Sequence, residues 1–237
     1  MIGILGALDE EVAVLQEGLS AMTTQTYLGR SFYAGHMDDQ EVVVVKSGIG
    51  KVRAAITATA LVSHFGVQGL IFTGVAAALE DHLGLGDVVL LHRGIEHDFG
   101  MVDERGFRLG LDFIPGEEAK ILEADPAYFQ VATGLPLPLR EIVPGIPTQI
   151  HSGVVATGDL FVADRATRTA IQARTQANVV EMEGAAVLRV AIEAGIPCLL
   201  VRSISDSGDN TLDFLSFFAR AAQNSGIVVR SLLKALT

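Results

Sequence analysis

Short runs of consecutive apolar residues alternate along this chain with segments whose apolar positions recur at helical spacing. Residues 2–7 are such a run. The acids Asp9, Glu10 and Glu11 follow, then Val12, Val14, Leu15 and Leu19, which predicts a strand, a turn and a helix with acids at its favourable end. Residues 26–36 and 41–46, joined by the polar Asp38-Asp-Gln40, predict a hairpin. Ser47-Gly-Ile-Gly-Lys51 is a glycine turn leading into an alanine-rich helix over 51–65. Residues 69–74 read as a buried strand, continued over 75–79 by small side chains that let a ligand or a backbone approach. Residues 86–91 form the next strand, followed by a longer stretch over 97–107. Residues 109–147 lack a clear period; Leu135-Pro-Leu-Pro-Leu139 and Pro144-Gly-Ile-Pro147 read as loop, with a helix over 127–133 between breaks. The pattern then predicts a strand over 148–157, a helix over 164–174, a short strand from Asn178, a helix over 183–194 and a strand over 197–204. Ser205-Asp-Ser-Gly208 turns out of that strand into a terminal helix over 212–236.

Fully apolar strands alternating with helices predict an α/β fold, with a mostly parallel central sheet covered by helices on both faces. The early hairpin makes the sheet mixed. No break in composition divides the chain, so residues 1–237 read as a single domain.

One stretch carries candidate chemistry. In Asn178-Val-Val-Glu-Met-Glu-Gly-Ala-Ala186, a buried strand ends in Glu181 and Glu183, two residues apart and therefore on one face of an extended chain. Carboxylates offer only acceptors, which suits the hydroxyls of a sugar. A polar strand end beside a helix start is an equal reading of the same residues.

Composition narrows the classes. Hydrophobic residues make up 49% of the 237, enough for a sizeable core. The net charge is −11 with only 17 Lys and Arg, so a nucleic-acid backbone is not the expected partner. Cys198 is the only cysteine and lies in an apolar run, where a buried inert thiol is expected. No apolar run approaches the ~20 residues of a membrane helix. The N-terminus reads as a first strand rather than a leader, and the expected location is the cytoplasm.

Ligands of open α/β sheets gather beyond the carboxyl ends of the strands. The residues at those ends are Glu11, Gly74, Phe161, Glu181, Met182, Glu183, Arg202, Ser205 and Asp206. There is no phosphate-loop motif and no His/Cys spacing for zinc, and Gly3-x-x-Gly6 falls short of a dinucleotide fingerprint.

Five segments in order give these residues a context: Gly3-Ile-Leu-Gly-Ala-Leu-Asp-Glu-Glu-Val12, Lys46-Ser-Gly-Ile-Gly-Lys-Val52, Gly158-Asp-Leu-Phe161, Val180-Glu-Met-Glu-Gly184 and Val201-Arg-Ser-Ile-Ser-Asp206. With them the chain resembles the nucleoside phosphorylase/nucleosidase superfamily, and within it the 5′-methylthioadenosine/S-adenosylhomocysteine nucleosidases. The resemblance implies hydrolysis of the N-glycosidic bond of an adenine thionucleoside in methionine salvage, through an oxocarbenium-like ribose, with no metal or organic cofactor. It implies that Asp206 shares a proton with the departing purine, oriented by Ser205, and that Glu11 activates the attacking water. Glu183 would bind the ribose hydroxyls, with Met182 against the sugar and Glu181 and Arg202 in support; a mutual ion pair is the structural alternative for the last two. Phe161 would stack on adenine, the Val162 backbone would meet its polar edge, and Phe214 would wall the 5′-thio pocket. For both aromatics, core packing is the alternative. A homodimer is also implied, with 97–107 (Met101 and Phe107 in particular) reaching towards the partner's site.

A phosphorylase must hold a phosphate dianion, whereas the first loop here supplies acids, which favours water as nucleophile. One departure stands out: Val75 and Ala77 replace the hydroxyl residue and glycine usual in the Thr-Gly-x-Ala segment. It leaves open a futalosine-type nucleoside as substrate, a phosphorylase on the same fold, or a nucleoside-binding protein without activity.

Overall fold

The computed structural model describes residues 1–206 and 211–237, with the backbone alone over 211–216. In chain order the elements are β1 (Ile2–Gly6), α1 (Asp9–Gln16), β2 (Ser20–Tyr27), β3 (Arg30–Met37), β4 (Gln40–Lys46), α2 (Lys51–Ser63), β5 (Leu70–Ala78) and β6 (Val88–Glu96). A small hairpin of β7 (Gly100–Asp103) and β8 (Gly106–Leu109) follows, then β9 (Leu122–Glu123) and α3 (Ala127–Thr133). The remainder is β10 (Ile150–Thr157), α4 (Arg165–Thr175), β11 (Val179–Glu181), α5 (Gly184–Ala194), β12 (Cys198–Asp206) and α6 (Thr211–Ala235).

The strands hydrogen-bond in the order β11-β10-β6-β12-β5-β1-β4-β3-β2, and β11 pairs again with β5. The β4–β1–β5–β12 spine is parallel, while β12–β6, β11–β5 and the early meander are antiparallel. Strands β5, β12, β6, β10 and β11 therefore close on themselves at one end of the sheet. That closure brings β11 beside the last residues of β5, with Val180 opposite Ala77.

The apolar runs are continuous because both faces of the sheet are covered. Along β4, Val42 and Val44 join one core cluster while Val43 and Val45 join another; Leu199 and Val201 alternate in the same way with Cys198 and Leu200 on β12. The first cluster packs against α1 and α6 through Val12, Leu15, Val228 and Leu232. The second packs against α2 and α5 through Ala54, Leu61, Val187 and Leu188. Each fully buried valine or leucine contributes about 1.5–3 kcal/mol to this sandwich. The α/β architecture with a mixed sheet and helices on both faces is as expected.

Several boundaries differ from those expected. β2 is a strand of its own that the sequence pattern does not mark, because residues 20–26 are exposed throughout and carry no apolar period. α1 ends at Gln16, short of Leu19. β12 runs through Ser205 and Asp206, where a turn was expected. Among the described residues, no helix is long and apolar enough to cross a membrane.

Candidate active site

Glu11, Glu183 and Asp206 come from distant parts of the chain and line one cleft, which encloses about 600 Å³ counting the space open to solvent. Its floor is the end of β5 (Val75, Ala76, Ala77), and its walls include Phe161, Val162, Met182 and Ser205.

Glu11 sits in the first turn of α1. Its Oε2 accepts from the Ala7 and Leu8 amides at 2.6 and 3.1 Å, and its Oε1 accepts from the Val75 amide at 3.2 Å. A Cβ at Gly74 would stand 2.6 Å from Oε1, so this approach to β5 requires glycine there. Burial raises the Glu11 pKa, opposed by the nearby Arg202 charge and by these three amides.

The acid pair of β11 divides into two roles. Glu181 ends the strand and lines the cleft, and its carboxylate is engaged by neighbouring protein groups. Oε1 accepts from Thr157 Oγ1 at 2.5 Å, Oε2 from Arg202 Nη2 at 2.8 Å, and both receive the Gly184 amide. Oε2 also takes the Glu183 amide at 3.1 Å. The acceptor sites of Glu181 are thus filled by protein. Arg202 is 1% exposed, donates from Nη1 to the Phe72 carbonyl at 3.2 Å, and lies over the Phe72 ring. Arg202 stands behind Glu181, outside the set lining the cleft; the mutual ion pair is the arrangement found. The Arg202 Nε is buried without a hydrogen-bond partner among the described residues.

Glu183 leaves the strand as the N-cap residue of α5. Its Oε1 accepts from the Gly50 amide at 2.8 Å, at the N-terminus of α2. Gly50 has φ +100°, a conformation that favours glycine. The adjacent Lys51 amide donates to Asp159 at 2.8 Å, and Lys51 Nζ pairs with Asp98 at 2.6 Å. Asp98 in turn accepts from the Asp159 amide at 2.8 Å. This ring of contacts staples the Phe161 loop to the start of α2. Burial first, then the charge of Glu181, push the Glu183 pKa up to about 8.

Asp206 reaches the cleft through a β-bulge. The register with β5 shifts between Ile204 and Asp206, so strict alternation is broken and Ser205 and Asp206 both line the cavity. Ser205 Oγ stands 3.4 Å from Asp206 Oδ2. Oδ1 is held by Arg168, a contact that sequence reasoning missed. One signal was available: Arg165 and Arg168 open α4, where positive charge opposes the helix dipole and needs a reason.

The remaining candidates divide. Met182 is half-buried at the cleft wall, and Phe161 keeps 54% of its surface exposed at the mouth. The Val162 carbonyl accepts from Arg168 at 2.8 Å. The side chain of Phe214 lies outside the described residues. Met101 and Phe107 are on the β7–β8 hairpin, where Arg108 bonds the Met101 sulfur and Arg174 covers the Phe107 ring.

A profile of the Phosphorylase superfamily matches residues 1–234. The chain belongs to that superfamily. A 5′-methylthioadenosine/S-adenosylhomocysteine nucleosidase of Marinomonas sp. is 34% identical over 244 residues, covering 99% of this chain and 98% of that protein. An aminodeoxyfutalosine nucleosidase of Helicobacter pylori is 33% identical over 238 residues, with 99% and 98% covered. Among solved structures, the methylthioadenosine/S-adenosylhomocysteine nucleosidase of S. pneumoniae with the transition-state inhibitor MT-ImmA superposes at TM-score 0.84 and 32% identity, covering 100% and 99% of the two chains. The superfamily's central sheet is thus the frame on which this cleft is built.

Proposed function

We propose that the chain is an N-glycosidic hydrolase, one nucleosidase domain over its whole length, that releases adenine from 5′-methylthioadenosine and S-adenosylhomocysteine. The observation that carries this is the charge of the cleft: Glu11, Glu183 and Asp206 line one cavity, and no lysine or arginine is among the described residues that line it. The undescribed stretch 207–210 and the side chains of 211–216 add no basic residue either. Such a cavity repels phosphate and stabilises a sugar that gains positive charge.

In this reading Glu11 takes the proton of the attacking water. Burial moves its pKa towards working pH, which is what a general base requires. Glu183 accepts from the ribose hydroxyls and, when ionised, faces the cationic sugar. Asp206 delivers the proton that lets purine leave, with Ser205 beside it, while Phe161 covers the base and Met182 the sugar. Glu181, Arg202 and Thr157 hold Glu183 in place from behind. Phe214 remains a candidate for the thio pocket.

The Helicobacter relative and Val75 support a second reading, a futalosine-type nucleoside in the same cleft. Base release from methylthioadenosine, S-adenosylhomocysteine and aminodeoxyfutalosine, with and without phosphate, separates the readings. Release that requires phosphate makes the chain a phosphorylase, and binding without release makes it a nucleoside-binding protein.

The same proposal includes a cytoplasmic homodimer. Its support is the exposed apolar pair Val52 and Ile56 one turn apart on α2, close to Ile49 at the cleft mouth, together with Val102 at 78% exposure on the hairpin. Sedimentation at micromolar concentration tests it: a monomer there removes the dimer from the account.

A further inference from the structure

Arg168 is buried at the base end of the cleft, on the first turn of α4, which Asp164 caps by accepting from the Thr167 amide at 2.9 Å. A buried guanidinium is costly unless its N–H groups find acceptors. Here the acceptors come from three segments that meet at the cleft. Nε and Nη2 donate to the Val162 carbonyl at 3.2 and 2.8 Å, Nη1 stands 3.5 Å from the Ala78 carbonyl, and Nη2 also bonds Asp206 Oδ1. Val162 belongs to the loop after β10, Ala78 ends β5 and Asp206 ends β12.

Asp206 is the group that the proposed function gives to the departing purine, and the family resemblance places the Val162 backbone at the purine's polar edge. We propose that Arg168 is a positioning residue for base departure: it locks the Val162 carbonyl and the Asp206 carboxyl into one geometry, so that a purine edge held at Val162 meets its proton donor. The proposal rests on the nucleosidase reading. Arg168 is not among the residues lining the cleft, so it acts through Asp206 and Val162 and not on the substrate. Holding Asp206 by Oδ1 fixes how the other oxygen, near Ser205, is presented. A planar fork bridges two acceptors in a way that a lysine ammonium does not.

The test compares two leaving groups. Methylthioadenosine needs a proton on its base; the p-nitrophenyl glycoside of methylthioribose expels a stable phenolate without one. Arg168→Met should lower kcat for the nucleoside at least ~10-fold more than for the nitrophenyl glycoside, a fraction of the ~100-fold or more that a general acid supplies. Arg168→Lys should recover part of that difference. In an Asp206→Asn background, adding Arg168→Met should cost less than about 3-fold further, as expected for residues acting as a unit. That double variant has no buried carboxylate left unpaired at this site, so it reports even where Arg168→Met alone does not fold. Equal losses on both substrates, no loss on the nucleoside, or an undiminished loss in the Asp206→Asn background would overturn the role of Arg168. Wild-type protein that releases no base from any nucleoside would instead bring down the nucleosidase reading, and this proposal with it.

Discussion

Two carboxylate–guanidinium pairs stand at the end of this sheet, and they are built differently. In Glu181–Arg202 the carboxylate borders the cleft but also takes Thr157 Oγ1 and the amides of Glu183 and Gly184, while the guanidinium stands behind it, 1% exposed. Asp206–Arg168 lies at the cleft wall, where the carboxylate borders the cavity and shares its second oxygen only with the Ser205 hydroxyl among the described hydrogen bonds. The difference teaches that saturation, more than charge, separates scaffold from working group. A carboxylate whose lone pairs are filled by protein shapes its neighbours; one with an oxygen towards the cavity can exchange a proton with a ligand.

The strongest way to break the comparison is Arg202→Met. It leaves Glu181 buried and uncompensated, so stability should fall by about 3–5 kcal/mol in urea unfolding. Adding Glu181→Gln should recover part of that loss. A stable Arg202→Met protein with lost activity would mean that this pair works rather than supports.

Next comes Asp206→Asn. The amide oxygen still accepts from Arg168 but leaves its buried charge without a counter-charge, so stability should fall by up to about 3–5 kcal/mol, while kcat for adenine release, read on folded protein, falls ~100-fold or more. Near-normal turnover would remove Asp206 from the mechanism.

The pH dependence of stability sharpens the picture further. Glu183 has its folded pKa raised from 4.5 to about 8, chiefly by burial. The folded state therefore binds its proton more tightly than the unfolded one. The associated stability is present below pH 4.5 and is lost as pH rises through about 8. Thermal melts of Glu183→Gln should be flatter than wild type across that window; parallel curves would count against a buried, proton-holding Glu183.

The smallest effect is expected at Gly50. Its φ of +100° is strained for alanine, so Gly50→Ala should cost about 1 kcal/mol and raise KM by loosening the amide that holds Glu183. An unchanged KM would show that Glu183 does not depend on the start of α2.

Much of the fold was legible because strands covered on both faces write themselves as continuous apolar runs, as in Val42 to Val45 and Cys198 to Val201. The exposed β2 left no such trace, and a three-residue β11 could not reveal that the sheet curls back to β5. In the site, the order of motifs pointed to Glu11, Glu183 and Asp206, which do share a cavity. The sequence could not say that Glu181 of the Glu181/Glu183 pair would be engaged by protein groups, since that depends on Thr157 and Arg202 arriving from other strands. Arg168 was hidden for a related reason: a helix otherwise polar on its surface buries one arginine against a strand that lies 38 residues away in the chain. The bulge at Ser205 that aims Asp206 has no signature in the residues themselves.

The central claim is that an acid-lined cleft without cations directs water, and not phosphate, to an electron-poor ribose. Incubation of the protein with methylthioadenosine and phosphate in ¹⁸O-labelled water tests it most directly. The account predicts adenine and a methylthioribose carrying the heavy oxygen at its anomeric hydroxyl, at a rate indifferent to phosphate. A methylthioribose phosphate without label, formed only when phosphate is present, would contradict it.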